Sequence, residues 1–120
     1  MYEIKITDEF SGAHRLRNYR GKCESLHGHN WRVEISAYSA KLNSQGMVMD
    51  FKDLKASLRK ALEILDHKHL NDLPYFKKKN PTSENIAEFI HKKLKCKIRY
   101  KLKVCVWETD RSQACYHERG

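Results

Sequence analysis

The 120-residue chain has no Cys-x-x-Cys pair: its four cysteines, Cys23, Cys96, Cys105 and Cys115, are scattered. A four-thiolate zinc site is therefore poorly matched, and a disulfide framework is not expected. No apolar run approaches the ~20 residues that a membrane-spanning helix requires. The opening stretch MYEIKITDEF carries no leader-like hydrophobic segment, so the cytosol is the expected location, with no membrane partner. Internal repeats, low-complexity tracts and linkers are missing as well. At this length the expectation is one domain, residues 1–120.

What the chain does have is charge. Charged residues make up 32% of it and apolar ones 40%, the composition of a globular protein with a heavily solvated surface. The net charge of +9 suits a nucleic acid, an anionic membrane or a small polyanion, and charge alone does not choose among them. The positive residues are dispersed. KKKN at Lys77–Asn80 reads as a solvated loop, whereas RLRNYRGK (Arg15–Lys22) is denser and directly precedes Cys23.

Hydrophobic periodicity supplies the element order. Tyr2–Phe10 alternates, with Tyr2, Ile4 and Ile6 on one face. Gly28–Ala40 alternates more clearly, with Trp31, Val33, Ile35 and Ala37 sharing a face. After the turn signal NSQG, Asp50 can cap a helix whose apolar stripe runs Phe51, Leu54, Leu58, Ala61, Leu62 and Leu65. Thr82 or Ser83 can cap a second helix, with Ile86, Phe89, Ile90 and Leu94 as its buried stripe. Leu102, Val104 and Val106 then alternate, and a short return strand follows near Ala114–Glu118. The order ββααββ predicts an α+β domain, an antiparallel sheet with two helices on one face.

The chemistry concentrates in CESLHGHNW. Side chains in a strand repeat with period two, so His27 and His29 share the face of Trp31. Two imidazoles placed so can begin a metal site or can be a pair without a ligand. His14, closing FSGAH, is the candidate third ligand if the first two strands pair antiparallel. Three histidines with a fourth position open is the pattern of catalytic zinc. Cys23 is either a base or nucleophile favoured by nearby positive charge, or a fourth ligand that closes the site. Asp66–His67 is either an acid–base pair or a helix-end cap, and His69 a ligand or a solvent-facing residue. Glu108 lies on an apolar row, where a carboxylate is costly unless paired. It meets a cation of the chain or a ligand with adjacent N–H donors. Cys105 reads as a small buried hydrophobe. Cys96 and Cys115 receive no role, and His91 and His117 read as surface residues.

The segments FSGAHRL, CESLHGHNW, GMVMDF, LDHKHLN, PTSENIA and VWET, in this order and spacing, resemble the 6-pyruvoyltetrahydropterin synthase superfamily along nearly the whole chain. The resemblance implies the tunnelling (T-) fold and a homo-oligomer, a hexameric dimer of trimers with active sites between subunits. It implies Zn2+ on His14, His27 and His29, with Cys23 as general base and Asp66–His67 as a second acid–base unit. Glu108 would anchor the 2-amino-4-oxo edge of a pterin, with Thr82 and Ser83 lining the pocket. The spacing Cys-x-x-x-HGH is similar to the 6-carboxytetrahydropterin synthase branch of queuosine biosynthesis. The implied activity is a lyase converting 7,8-dihydroneopterin triphosphate to 6-carboxy-5,6,7,8-tetrahydropterin, with Arg15, Arg17, Arg20 and Lys22 available to the triphosphate. A pyruvoyl-type synthase, which keeps all three side-chain carbons, is the alternative. A basic zinc module for nucleic acid ranks far lower, so no nucleic-acid partner is expected. Gly12 stands where relatives often carry alanine; Cys23 argues against a branch that uses glutamate in its place, although Glu24 stands beside it.

Overall fold

Two long strands, β1 (Tyr2–His14) and β2 (His27–Ser39), pair antiparallel over their whole length, from Tyr2 opposite Ser39 to His14 opposite His27. The computed structural model describes residues 1–21 and 24–119; Lys22, Cys23 and Gly120, and with them the role expected of Cys23, lie outside the described residues. Helix α1 (Phe51–Glu63) follows, then a two-residue strand β3 (Lys68–His69), two 3-10 turns, helix α2 (Ser83–Lys95), and the hairpin β4 (Lys101–Thr109) and β5 (Ser112–His117). The sheet order is β3-β1-β2-β4-β5, an α+β architecture with helices covering one face. No described helix is long and apolar enough to cross a membrane.

The alternation of the sequence sets the two faces. Phe10, Trp31, Val33, Ile35, Leu102, Val104 and Val106 point to the helices and are buried. Leu54, Leu58 and Leu62 of α1 and Ile86, Ile90 and Leu94 of α2 close over them. Each such side chain contributes about 1.5–3 kcal/mol relative to exposure. Asp50 caps α1 by accepting from the Lys52 amide at 2.8 Å. Thr82 caps α2 by accepting from the Asn85 amide at 3.1 Å, which leaves Ser83 as the first helical residue.

Five features differ from the sequence reading. The first strand continues four residues past Phe10, to His14. The sheet gains β3, which runs parallel to β1, with Gly12 opposite Lys68 and Ala13 opposite His69. Phe51 is 50% exposed, because the first turn of α1 overhangs the sheet edge beside Lys5 and Thr7. His91 is 5% exposed rather than a surface residue. It lies one position past Ile90 in α2 and turns toward the hairpin, its ring 4.9 Å from that of Tyr116. Finally, Cys105 is buried as expected but bonded to Cys115, directly opposite it in the β4–β5 register with Cα atoms 4.0 Å apart. Cys96 is free and exposed.

Gly12 sits at a close approach between β1 and the segment after α1. A Cβ there would lie 3.3 Å from the Phe10 ring, 3.4 Å from a Leu70 methyl and 3.5 Å from the Leu65 carbonyl. The segment after α1 packs against β1 here, at the strand end that carries His14.

Candidate functional site

His14 and His27 are cross-strand partners at the last rung of the β1–β2 ladder, and His29 lies two residues along the same face. The three rings offer nitrogen atoms within 4.8 Å of one another. Trp31 continues the row and forms its floor, its ring 4.8 Å from that of His14 and 5.3 Å from that of His29. The indole N–H donates to the Gly12 carbonyl at 3.1 Å, which fixes the ring on which the imidazoles rest.

The hydrogen bonds around the rings decide what the cluster can hold. His14 Nδ1 donates to the Pro81 carbonyl at 2.7 Å, and His27 Nδ1 donates to the Ser25 carbonyl at 2.9 Å. With those protons in place, Nε2 of each neutral ring is a bare acceptor. Yet the two Nε2 atoms are only 3.1 Å apart. Glu108 adds a carboxylate 3.4 Å from His14 Nε2 and 3.8 Å from His29 Nε2. His29 Nε2 is buried with no hydrogen-bond partner. Burial holds the His14 pKa below its ordinary value, outweighing the opposite pull of the Pro81 carbonyl and Glu108. A neutral His14 leaves acceptors facing acceptors, an arrangement that a metal cation resolves. Backbone carbonyls orienting Nδ1 are the usual outer support of metal-bound histidine. The donor set fits a divalent ion such as zinc on His14, His27 and His29.

Glu108 reaches this point through a bulge. Trp107 pairs with Gln113 and Thr109 with Ser112, so Glu108 is the extra residue of β4. Bulges bend a strand and re-aim a side chain, often beside a site. Thr82 and Ser83 lie next to the Pro81 carbonyl that holds His14, at the N-terminus of α2. The structure therefore brings His14, His27, His29 and Glu108 together, with the Thr82–Ser83 turn adjoining the Pro81 carbonyl behind His14.

It does not bring Asp66 and His67 into that group. His67 is 81% exposed, faces Asp66 Oδ1 at 3.7 Å, and has φ +56°. It lines a cavity of about 530 Å³ at the sheet edge with Ser11, His29, Asn30 and His69. Ser11 and Asn30 belong to the face turned away from the helices, where the Ser11 hydroxyl donates to Asn30 Oδ1 at 2.8 Å. His69 is held by Asp72, Nδ1 to Oδ2 3.2 Å.

Of the basic stretch, Arg17 has a structural task. Its guanidinium donates to the carbonyls of Phe76 and Lys79, while its amide donates to Asn80 Oδ1 at 2.8 Å. Arg15 and Arg20 have exposed side chains, Arg20 lying against the Tyr19 ring. Sequence reasoning missed the Pro81 carbonyl and Arg59, whose guanidinium faces Asp66 Oδ2 at 3.4 Å. Period two had already put Trp31 on the face of His29; nothing local announces the other two.

The chain matches the family described as 6-pyruvoyl tetrahydropterin synthase over residues 3–119. A 6-carboxy-5,6,7,8-tetrahydropterin synthase of Synechocystis is 43% identical over 99 residues, covering 78% of this chain and 75% of the relative. A 6-pyruvoyl tetrahydrobiopterin synthase of Homo sapiens is 37% identical over 125 residues, covering 89% and 85%. The solved structure of Caenorhabditis elegans 6-pyruvoyl tetrahydropterin synthase superposes with TM-score 0.84 at 28% identity, over 98% of this chain and 96% of that one.

Proposed function

From the premise that the chain belongs to the 6-pyruvoyl tetrahydropterin synthase family, we propose that it is a metal-dependent carbon–carbon lyase acting on 7,8-dihydroneopterin triphosphate. With one water, the substrate yields 6-carboxy-5,6,7,8-tetrahydropterin, acetaldehyde and triphosphate, a cytoplasmic step toward 7-deazaguanine nucleosides such as queuosine. The observation that carries this reading is the convergence of three supported imidazoles beside Glu108. Zinc, held by His14, His27 and His29, would lower the pKa of a side-chain hydroxyl and stabilise the developing oxyanion.

The protein's own residues divide the remaining work. Glu108, on the bulge, accepts hydrogen bonds from the 2-amino and ring N–H groups of the pterin, with Thr82 and Ser83 beside it. Cys23 acts as a general base on the three-carbon side chain, and His67, paired with Asp66, moves protons from the other side. Arg15, Arg20 and Lys22 remain for the triphosphate. His67 shares a cavity with His29 but is 81% exposed at the edge of β1, a position from which it would serve the site of a neighbouring copy. Among the described residues, the outer edges of β1 and β5 carry no further strand beyond the two residues of β3, which supports assembly of sheets edge to edge in a hexameric dimer of trimers. One domain, residues 1–120, carries all of this.

The close likeness to biopterin-type relatives supports a second reading, elimination of triphosphate with all three side-chain carbons retained. Product identification separates the two. Zinc-loaded protein incubated with 7,8-dihydroneopterin triphosphate is expected to release acetaldehyde and a 6-carboxypterin by mass spectrometry. A product retaining the three-carbon chain would establish the second reading instead.

A further inference from the structure

Arg59 lies on α1 and reaches across to the sheet edge. Its Nη1 donates to both carboxylate oxygens of Asp8, at 3.2 and 3.3 Å, and its Nη2 donates to Asp66 Oδ2 at 3.4 Å. The other oxygen, Asp66 Oδ1, accepts from the Ser11 amide at 2.9 Å. The next residue returns the contact, since the His67 amide donates to the Ser11 carbonyl at 2.6 Å. Asp66 thus takes the place of a strand carbonyl on the edge of β1, and a main-chain amide and a guanidinium hold it from two sides. This clamp stands directly before a histidine whose backbone sits in the left-handed region, φ +56°. A non-glycine residue stays there only where its surroundings over-determine it.

We infer that Arg59 is a positioning residue for the Asp66–His67 pair. It fixes the carboxylate in one orientation, with Oδ1 toward the imidazole, so that His67 is presented out of the subunit in one pose. The inference rests on the reading that this pair moves protons. A purely structural role is the competing explanation, and exposure argues against it. The Arg59 side chain is 38% exposed, and ion pairs at such sites contribute little to stability. Lysine replaces it only in part, because a single ammonium lacks the fork that serves Asp8 and Asp66 at once.

The test is kcat, KM and Tm for Arg59→Met, Arg59→Lys, Asp66→Asn, His67→Ala and the Arg59→Met/Asp66→Asn double variant, on zinc-loaded protein with 7,8-dihydroneopterin triphosphate. Arg59→Met is expected to lower kcat roughly ten- to a hundredfold, as misplacement of a reacting group does. KM should stay within about twofold, because Arg59 acts on a pose rather than on binding. Arg59→Lys should fall between Arg59→Met and the parent. In the Asp66→Asn background Arg59→Met should cost nothing further, because residues acting through one another are not additive. Unchanged kcat in Arg59→Met while His67→Ala is impaired would overturn the inference alone. So would an equal loss in both backgrounds, or a loss that follows Tm. Unimpaired turnover in His67→Ala would overturn the reading of the pair itself. Should Arg59→Met not fold, Arg59→Lys carries the same comparison.

Discussion

The histidine cluster and the Asp66–His67 edge are both built on the last rungs of β1, yet they are opposite kinds of structure. His14, His27 and His29 project from paired strands; His14 and His29 stand against Trp31, and the Nδ1 atoms of His14 and His27 are fixed by backbone carbonyls. They are a finished cradle within one chain. Asp66 and His67 lie on a connection, hold the strand edge through Ser11, and turn the imidazole to solvent. On the proposed function, the first region takes an ion and the second serves another copy of the chain. The proposed function would thus divide acid–base chemistry from cation binding without enlarging the core.

That division can be broken one half at a time. The largest effect belongs to the cradle: His14→Ala or His27→Ala should abolish stoichiometric zinc by metal analysis. Turnover should fall by more than about a hundredfold, the upper loss seen when even outer support of a metal is removed. His67→Ala should keep full zinc content and lower kcat by about 10²–10⁴, the range of a single acid–base group. Zinc loss in His67→Ala would merge the two regions and end the comparison. Glu108→Gln keeps shape but loses charge, so it should fold and retain zinc while pterin affinity, read by titration, falls roughly tenfold, about the loss of one charge-assisted hydrogen bond. The smallest effect lies away from both regions. Burial holds the His91 pKa below its ordinary value, with Glu118, Lys95, Tyr116 and the Leu102 backbone facing it. The unfolded chain then binds the proton more readily than the folded one. The contribution of His91 is fully present above about pH 6.5 and is lost as pH falls through the folded value. His91→Phe should flatten that part of the Tm-versus-pH curve without touching zinc content.

Period-two and helical spacing made the sheet and both helices legible, because one buried face must be apolar at every turn or alternate residue. The pairing of His14 with His27 was legible for the same reason, as two strand ends brought together by one hairpin. What was hidden depends on contacts remote in sequence. His91 looks like a surface histidine until the β5 hairpin folds over it, and Cys115 gains its partner only from the β4–β5 register. The two-residue β3 is too short to leave a pattern; it exists because Ser11 exchanges bonds with Asp66 and His67. Glu108 was legible as an odd carboxylate on an apolar row, but its aim comes from a bulge that no local signal marks.

The central claim, that a working site joins the cradle of one chain to the His67 edge of another, is tested by mixing. Equal amounts of His27→Ala and His67→Ala proteins are unfolded, refolded together with zinc, and assayed beside wild-type protein treated the same way. Random assembly leaves roughly a quarter of the sites with both halves intact, so about that fraction of the wild-type rate should return. If cradle and His67 served the same chain, every chain in the mixture would be defective, and no activity would return.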